Sequence, residues 1–169
     1  IAQNGRPGPV LIDIPKDVQF AKGSYIEKNK IVIPPHRLFE PKPNFEIEKI
    51  EEATEIISKS KKPIFYIGGG CINSGPMASK LVREFINLVG SPVTMTLMGL
   101  GVVASSDKNS LGMLGMHGMY EANMAMHECD VLINIGARFD DRVTGRLDAF
   151  SPNSKKIHVD IDASNINKT

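Results

Sequence analysis

The sequence predicts an α/β protein built on a doubly wound, mostly parallel sheet. Short apolar runs at 63–67, 92–96, 110–114, 131–135 and 156–161 alternate with stretches of helical periodicity. Parallel strands need crossovers, and these are overwhelmingly right-handed, so helices cover both faces of such a sheet. Glycine turns follow the runs at 63–67, 110–114 and 131–135, where a Rossmann-like sheet gathers its ligands.

Residues 9–14 form an apolar run after Gly5-Arg6-Pro7-Gly8, and they are expected to be a strand with no earlier partner strand in this chain. Missing upstream sequence is therefore expected. Asp13-Ile14-Pro15-Lys16-Asp17 ends that run with charge. From 20 to 43 the chain carries Pro34, Pro35, Pro41 and Pro43 with little periodicity, which reads as a linker between a tail at 1–19 and a domain at 44–169.

Residues 46–60 place Ile47, Ile50, Ala53, Ile56 and Ile57 on one helix face, with Asn44 available as a cap. After the strand at 63–67 comes Gly68-Gly69-Gly70-Cys71-Ile72-Asn73-Ser74-Gly75, then a helix over 76–89 with Pro76 in its first turn and Gly90 beyond its end. Met77, Leu81, Phe85 and Leu88 are its expected buried stripe. The glycines match neither G-x-G-x-x-G nor a G-K-[ST] loop, so alone they are a tight turn or a ligand loop. Leu97-Met98-Gly99 ends the strand at 92–96, and Gly115-Met116-His117-Gly118 separates the strand at 110–114 from a helix at 119–128. Met119, Met124 and Met126 on that helix read as core filler.

Of 169 residues, 41% are hydrophobic and 23% charged, and the net charge is +1. That composition is globular and gives no electrostatic footprint for nucleic acid or an anionic membrane. No apolar run approaches the ~20 residues that span a bilayer. Cys71 and Cys129 stand apart from each other and from any histidine at zinc-ligand spacing, so neither a disulfide framework nor a metal site is expected. His127 and His158 read as packed or surface imidazoles; only His117 has suggestive company.

Chemistry concentrates after the strand at 131–135. Gly136 permits a close approach, and Arg138, Asp140, Asp141 and Arg142 crowd four charges into five residues. In isolation this is a solvated loop with local ion pairs. In a sheet of order 3-2-1-4-5, however, the winding reverses between the strands at 63–67 and 131–135, which sets Gly68-Gly69-Gly70 beside Gly136-Ala137-Arg138. Such a crevice suits a long, diphosphate-bearing ligand, with Asp160 at the next strand end free to accept from a ribose or adenine.

Taken together, residues 5–17 (GRPGPVLIDIPKD), Gly115-Met116-His117-Gly118 and residues 136–145 (GARFDDRVTG) closely resemble the large subunit of the acetolactate (acetohydroxyacid) synthase family. The likeness spans essentially the whole chain. Its first segment is common to many thiamine diphosphate enzymes, whereas R-F-D-D-R-V-T-G after G-M-H-G is specific to this family. The resemblance implies that residues 1–19 are the tail of a pyrimidine-binding domain and that 44–169 is a central FAD-binding domain, incomplete at its carboxyl end. It also implies that the glutamate activating thiamine diphosphate lies upstream and the magnesium and diphosphate site downstream. No catalytic residue and no metal ligand is therefore assigned here, and the fragment alone is expected to be inactive.

In that family, pyruvate is decarboxylated on thiamine diphosphate and condensed with a second pyruvate or 2-oxobutyrate, in branched-chain amino-acid biosynthesis. FAD undergoes no net redox change. By similarity its ligands are Arg6, Gly68, Gly69, Gly70, Asn73, Thr96, Leu97, Met98, Leu114, Gly115, Met116, His117, Gly136, Ala137, Arg138, Asp140, Arg142, Val143, Asp160 and Ile161. Lys16, Met116, Asp141 and Arg142 match substrate-channel positions. A homodimer or tetramer, with or without a small regulatory subunit, is implied, in the cytoplasm of a bacterium or an organelle of a eukaryote. Two alternatives stand beside it: a non-catalytic nucleotide-binding module on the same fold, and another FAD-containing carboligase such as glyoxylate carboligase.

Overall fold

A computed structural model describes residues 2–3, 7–27 and 46–168. The chain divides into two compact units, Ile1–Pro43 and Asn44–Thr169.

In the first unit the expected strand at 9–14 does not form. Those residues form no regular element and are exposed, Leu11 at 93%. A strand exists through its ladder, and no partner strand is present among the described residues of this unit. The regular element here is instead the short helix α1 (Lys16–Phe20), which starts after Pro15 and is tied back by a hydrogen bond from Gln19 Nε2 to the Ile14 carbonyl. Arg6 and the prolines at 34–43 lie outside the described residues.

The second unit runs α2 (Ile47–Lys59), β1 (Pro63–Ile67), α3 (Gly70–Asn73), α4 (Pro76–Val89), β2 (Val93–Met95), β3 (Ser110–Met113), α5 (Tyr120–Glu128), β4 (Val131–Ile135), α6 (Asp141–Thr144) and β5 (Lys155–Val159). The five strands form one parallel sheet of order β3-β2-β1-β4-β5, the order expected from the sequence. The fold class follows directly: the central apolar runs, β1, β2 and β4, are buried on both faces as parallel strands, and amphipathic helices cover them.

The core lies on both faces. On one, Phe65, Ile67, Val93, Met95, Val131 and Ile133 pack against Val82 and Ile86 of α4. On the other, Ile64, Tyr66 and Leu132 pack with Ala122 and Met126 of α5 and with Phe139. The buried stripe of α4 is thus Val82, Phe85, Ile86 and Val89, whereas Met77, Leu81 and Leu88 face outward. Phe85 is in the stripe as expected, while the other three expected positions give way to Val82, Ile86 and Val89. Apolar residues stand at adjacent positions of α4 (81–82, 85–86 and 88–89), so two overlapping stripes satisfy a helical repeat, and contact with the sheet selects one. Pro76 and Gly90 do end the helix as expected, Gly90 at φ 70° donating to the Ile86 carbonyl.

Smaller departures have local causes. Helix α2 begins after Glu46 with no side-chain cap, and Asn44 lies outside the described residues. Met126 is core as expected, but Met119 precedes α5 and is exposed. A helical turn, α3, occupies part of the expected glycine loop, and α6 occupies part of the charged loop, its first amide region capped by the Asp140 carboxylate accepting from Arg142 N. Strand β5 ends at Val159, so Asp160 opens the following turn. At the amino ends of the strands, Asp130 accepts from Ser60 Oγ and from the Lys61 and Lys62 amides at 2.7 and 2.9 Å, tying β1 to β4. Among the described residues no helix is long and apolar enough to cross a membrane.

Candidate functional site

The segments singled out in the sequence of the second unit converge at the carboxyl ends of the strands. Gly68 N donates to the Ile135 carbonyl at 2.9 Å and Gly70 N to the Gly136 carbonyl at 3.0 Å, so the triple-glycine bend and the Gly136 bend share one rim. Gly69 faces the backbone and Cβ of Met98, which carries the turn after β2 onto the same rim. From β3, Met116 N donates to the Arg142 carbonyl at 2.9 Å, and Gly115 abuts Arg142 and Val143. Asp160, after β5, stands beside His158, whose ring nitrogen meets the Ala137 carbonyl. All five strand ends therefore contribute. The winding reversal between β1 and β4 produces this, as it does in open α/β sheets generally.

The glycines serve the chain itself before any ligand. Gly68 and Gly70 amides are already engaged, so the bend offers fewer free donors than its sequence promised. The N–H groups of Gly69 and Arg138 donate to no acceptor among the described residues. Thr96 Oγ1 caps the 3₁₀ turn Leu97–Gly99 by accepting from Gly99 N at 3.0 Å, leaving Leu97 and Met98 exposed above it. Leu114 and Gly115 are buried, while Met116, His117, Asn73 and Ile161 are exposed.

Electrostatically the rim is a mixed cluster. Arg138 pairs with Asp140, and the hydrogen bond with the Asp141 side chain, the Arg142 amide and the Arg138 guanidinium together hold the Asp140 carboxyl down at about 2. Arg142 has no ion-pair partner among the described residues, which leaves an exposed cation directed to solvent. Amides and guanidinium groups so placed attract an anion, and a planar fork suits a phosphate. An open groove of about 500 Å³ lies at the opposite end of the sheet, lined by Ile56, Lys59, Asp130, Val131 and Lys155 among others; none of the predicted site residues lines it. Lys16 belongs to the first unit, at the start of α1.

Several positions that shape this rim had no role in the sequence reading. Asn134 is fully buried in β4; its Nδ2 donates to the Ala137 carbonyl at 2.7 Å and its Oδ1 accepts from Ala137 N at 3.2 Å, fixing the turn. Asn123 does the same for Gly115, through 2.8 and 3.0 Å bonds. Phe139 adopts φ 54° and drops its ring between Tyr66, Phe150 and His158. The available signal was a polar residue inside an apolar run, since a buried asparagine must find partners.

A doubly wound sheet with its loops gathered at one switch point defines an open α/β domain of the Rossmann-like class, and residues 50–169 match the family model described as "Thiamine pyrophosphate enzyme, central domain". The chain belongs to that family. Over 99% of its length it is 48% identical to the acetolactate synthase large subunit of Porphyra purpurea, 46% to the chloroplastic acetolactate synthase of Arabidopsis thaliana and 45% to the acetolactate synthase isozyme 2 large subunit of Escherichia coli. It spans 28%, 24% and 29% of those proteins, respectively.

Proposed function

We propose that this chain is the central domain of an acetolactate synthase large subunit, which condenses two molecules of pyruvate, or pyruvate and 2-oxobutyrate, with loss of carbon dioxide. The observation that carries this is the convergence of five strand ends into one rim, in a chain nearly half identical to acetolactate synthases along its whole length. Thiamine diphosphate, with Mg2+, supplies the carbon-carbon chemistry when bound, on parts of the protein other than this chain. The role of this chain is to bind FAD and to support the active-site channel.

The donor set supports FAD. A dinucleotide brings a diphosphate, and the rim offers the free Gly69 and Arg138 amides with the Arg138 and Arg142 guanidiniums on one side of the cleft. Asp160 keeps acceptor capacity beyond its bonds from Asp162 N and Asn165 Nδ2, enough for a hydroxyl or an amine. The exposed Leu97, Met98 and Met116 offer apolar surface to a flat ring system. Gly68, Gly70, Gly136 and Ala137 form the backbone floor, with Asn73, Thr96, Leu114, Gly115, His117, Asp140, Val143 and Ile161 around it. We assign Asp141 and Arg142 with Met116 to the substrate channel. A homo-oligomer, with a small regulatory subunit, in a bacterial cytoplasm or a eukaryotic organelle, completes the proposal.

The test is a flavin titration of the full-length protein with product analysis. Bound flavin absorbance, and acetolactate formed from pyruvate alone, are the expected results. Absence of flavin binding, with Arg138→Ala indistinguishable from wild type, would overturn the FAD assignment. Turnover of glyoxylate instead of pyruvate would move the chain to a different carboligase.

A further inference from the structure

The second unit carries a row of polar side chains across four adjacent strands. Register aligns Thr94 of β2 with Tyr66 of β1, Tyr66 with Asn134 of β4, and Asn134 with His158 of β5. Polar groups this deep need partners, and of these four the Tyr66 hydroxyl finds none among the described residues. Thr94 Oγ1 donates to the Gly112 carbonyl at 3.1 Å, and Asn134 brackets Ala137. His158 has a different position. Its Nε2 is 3.0 Å from the Ala137 carbonyl and 3.7 Å from Asp160 Oδ2, and its ring sits edge-on to Phe139 with centroids 5.1 Å apart. A carbonyl oxygen only accepts, so Nε2 carries the hydrogen.

We infer that His158 is a positioning residue that locks the Gly136–Asp140 turn to the end of β5, so that the two halves of the rim act as one unit. Only 11% of the His158 side chain and 9% of Asp160 are exposed, so water does not compete well for this bond. The turn that it holds is strained at Phe139, whose φ is 54°, whereas Gly136 takes its φ of 69° without cost. For a residue such as Phe139, that conformation persists only where surroundings over-determine it. Ala137 O receives two donors, Asn134 Nδ2 from within β4 and His158 Nε2 from β5, and the second ties the turn to β5 beside the backbone bond from Gly136 N to the Val159 carbonyl at 2.8 Å. Loss of the second donor leaves the Gly136–Val159 backbone bond as the tie to β5, with Ala137 held only by Asn134 of β4.

The inference rests on the rim being the flavin site, and the experiment separates the two. In the full-length protein, three variants change the donor by position: His158→Gln keeps an N–H where Nε2 was, His158→Asn reaches only the Nδ1 position, and His158→Phe keeps the ring against Phe139 with no donor. Hydrogen exchange of apoprotein peptides covering residues 136–145 reads the turn without any flavin. Faster exchange there for the Asn and Phe variants, with the β1 and β4 peptides unchanged, is the expected result, together with FAD affinity lower by about tenfold and restoration of both by Gln. If the Phe variant does not fold, the Gln–Asn contrast decides alone. Wild-type protein that fails to bind FAD would sink the flavin assignment while the exchange data still judge the clamp. Equal exchange and equal affinity in the Gln and Asn variants would overturn the clamp and leave the flavin assignment standing.

Discussion

A Cβ placed on Gly68 would stand 2.1 Å from the carbonyl oxygen of Gly136. The two bends touch through bare backbone, and this contact closes the floor of the rim where the sheet changes its direction of winding.

Gly68→Ala is therefore expected to destabilise the domain by about 2 kcal/mol or more, because backbone on both sides must shift. Gly8→Ala, with open space around its Cβ position, is the control and should change little. Urea unfolding of the full-length protein, compared at equal m-value, checks both.

Arg138→Ala separates ligand binding from stability. Its ion pair with Asp140 is half exposed, so little change in Tm is expected. A charge-assisted bond to a phosphate is worth about 1.5–3 kcal/mol, so flavin affinity should fall roughly 10- to 100-fold. Quenching of flavin fluorescence measures it.

The Asp140 carboxyl titrates at about 2 when folded, below its ordinary range. A depressed carboxyl stabilises the folded state above the unfolded pKa of about 4, and that contribution is lost as pH falls toward the folded value. Between pH 5 and 2, wild-type stability should therefore drop more steeply than that of Asp140→Asn. Equal slopes in denaturant titrations across that range would refute the assignment.

Asp130 predicts a change at the opposite end of the sheet. The Ser60 hydroxyl and the Lys61 and Lys62 amides lower its pKa by hydrogen bonding to the carboxylate. Asp130→Ala removes all three bonds and is expected to lower stability by about 1–2 kcal/mol while leaving flavin affinity within a factor of two or so. Thermal unfolding and flavin titration on the same samples check the two halves of that statement.

Cys71 and Cys129 are both buried, and burial pushes the Cys71 thiol up to about 11 and the Cys129 thiol in the same direction. Thiolate is the reactive form, so both should resist iodoacetamide in the native protein at pH 8 and label fully in urea. Peptide mapping by mass spectrometry distinguishes the two sites.

The run Val131–Ile135, the Pro63–Ile67 strand and the glycines after them were legible as sequence, because β-rich apolar runs and turn residues act over a few neighbours. The same locality misled at residues 9–14, where an apolar run lacks a ladder among the described residues of its unit, and at α4, where Met77, Leu81 and Leu88 follow the helical repeat of Phe85 but face outward. His158 and Asn134 looked unremarkable for a related reason: each matters through Ala137, and for His158 that partner is twenty-one residues away.

By itself, then, the sequence determined the strands, their parallel winding and the loops where chemistry gathers. Local periodicity and backbone sterics specify those without reference to anything distant. Only the tertiary structure decided which face of α4 is buried, that Gly68 and Gly136 are in backbone contact, and that Phe139, Asn134 and His158 hold the charged turn in place. Such choices depend on which surfaces meet after the sheet has assembled, and apart from the three-residue Asn134–Ala137 bracket no short window along the chain contains both partners.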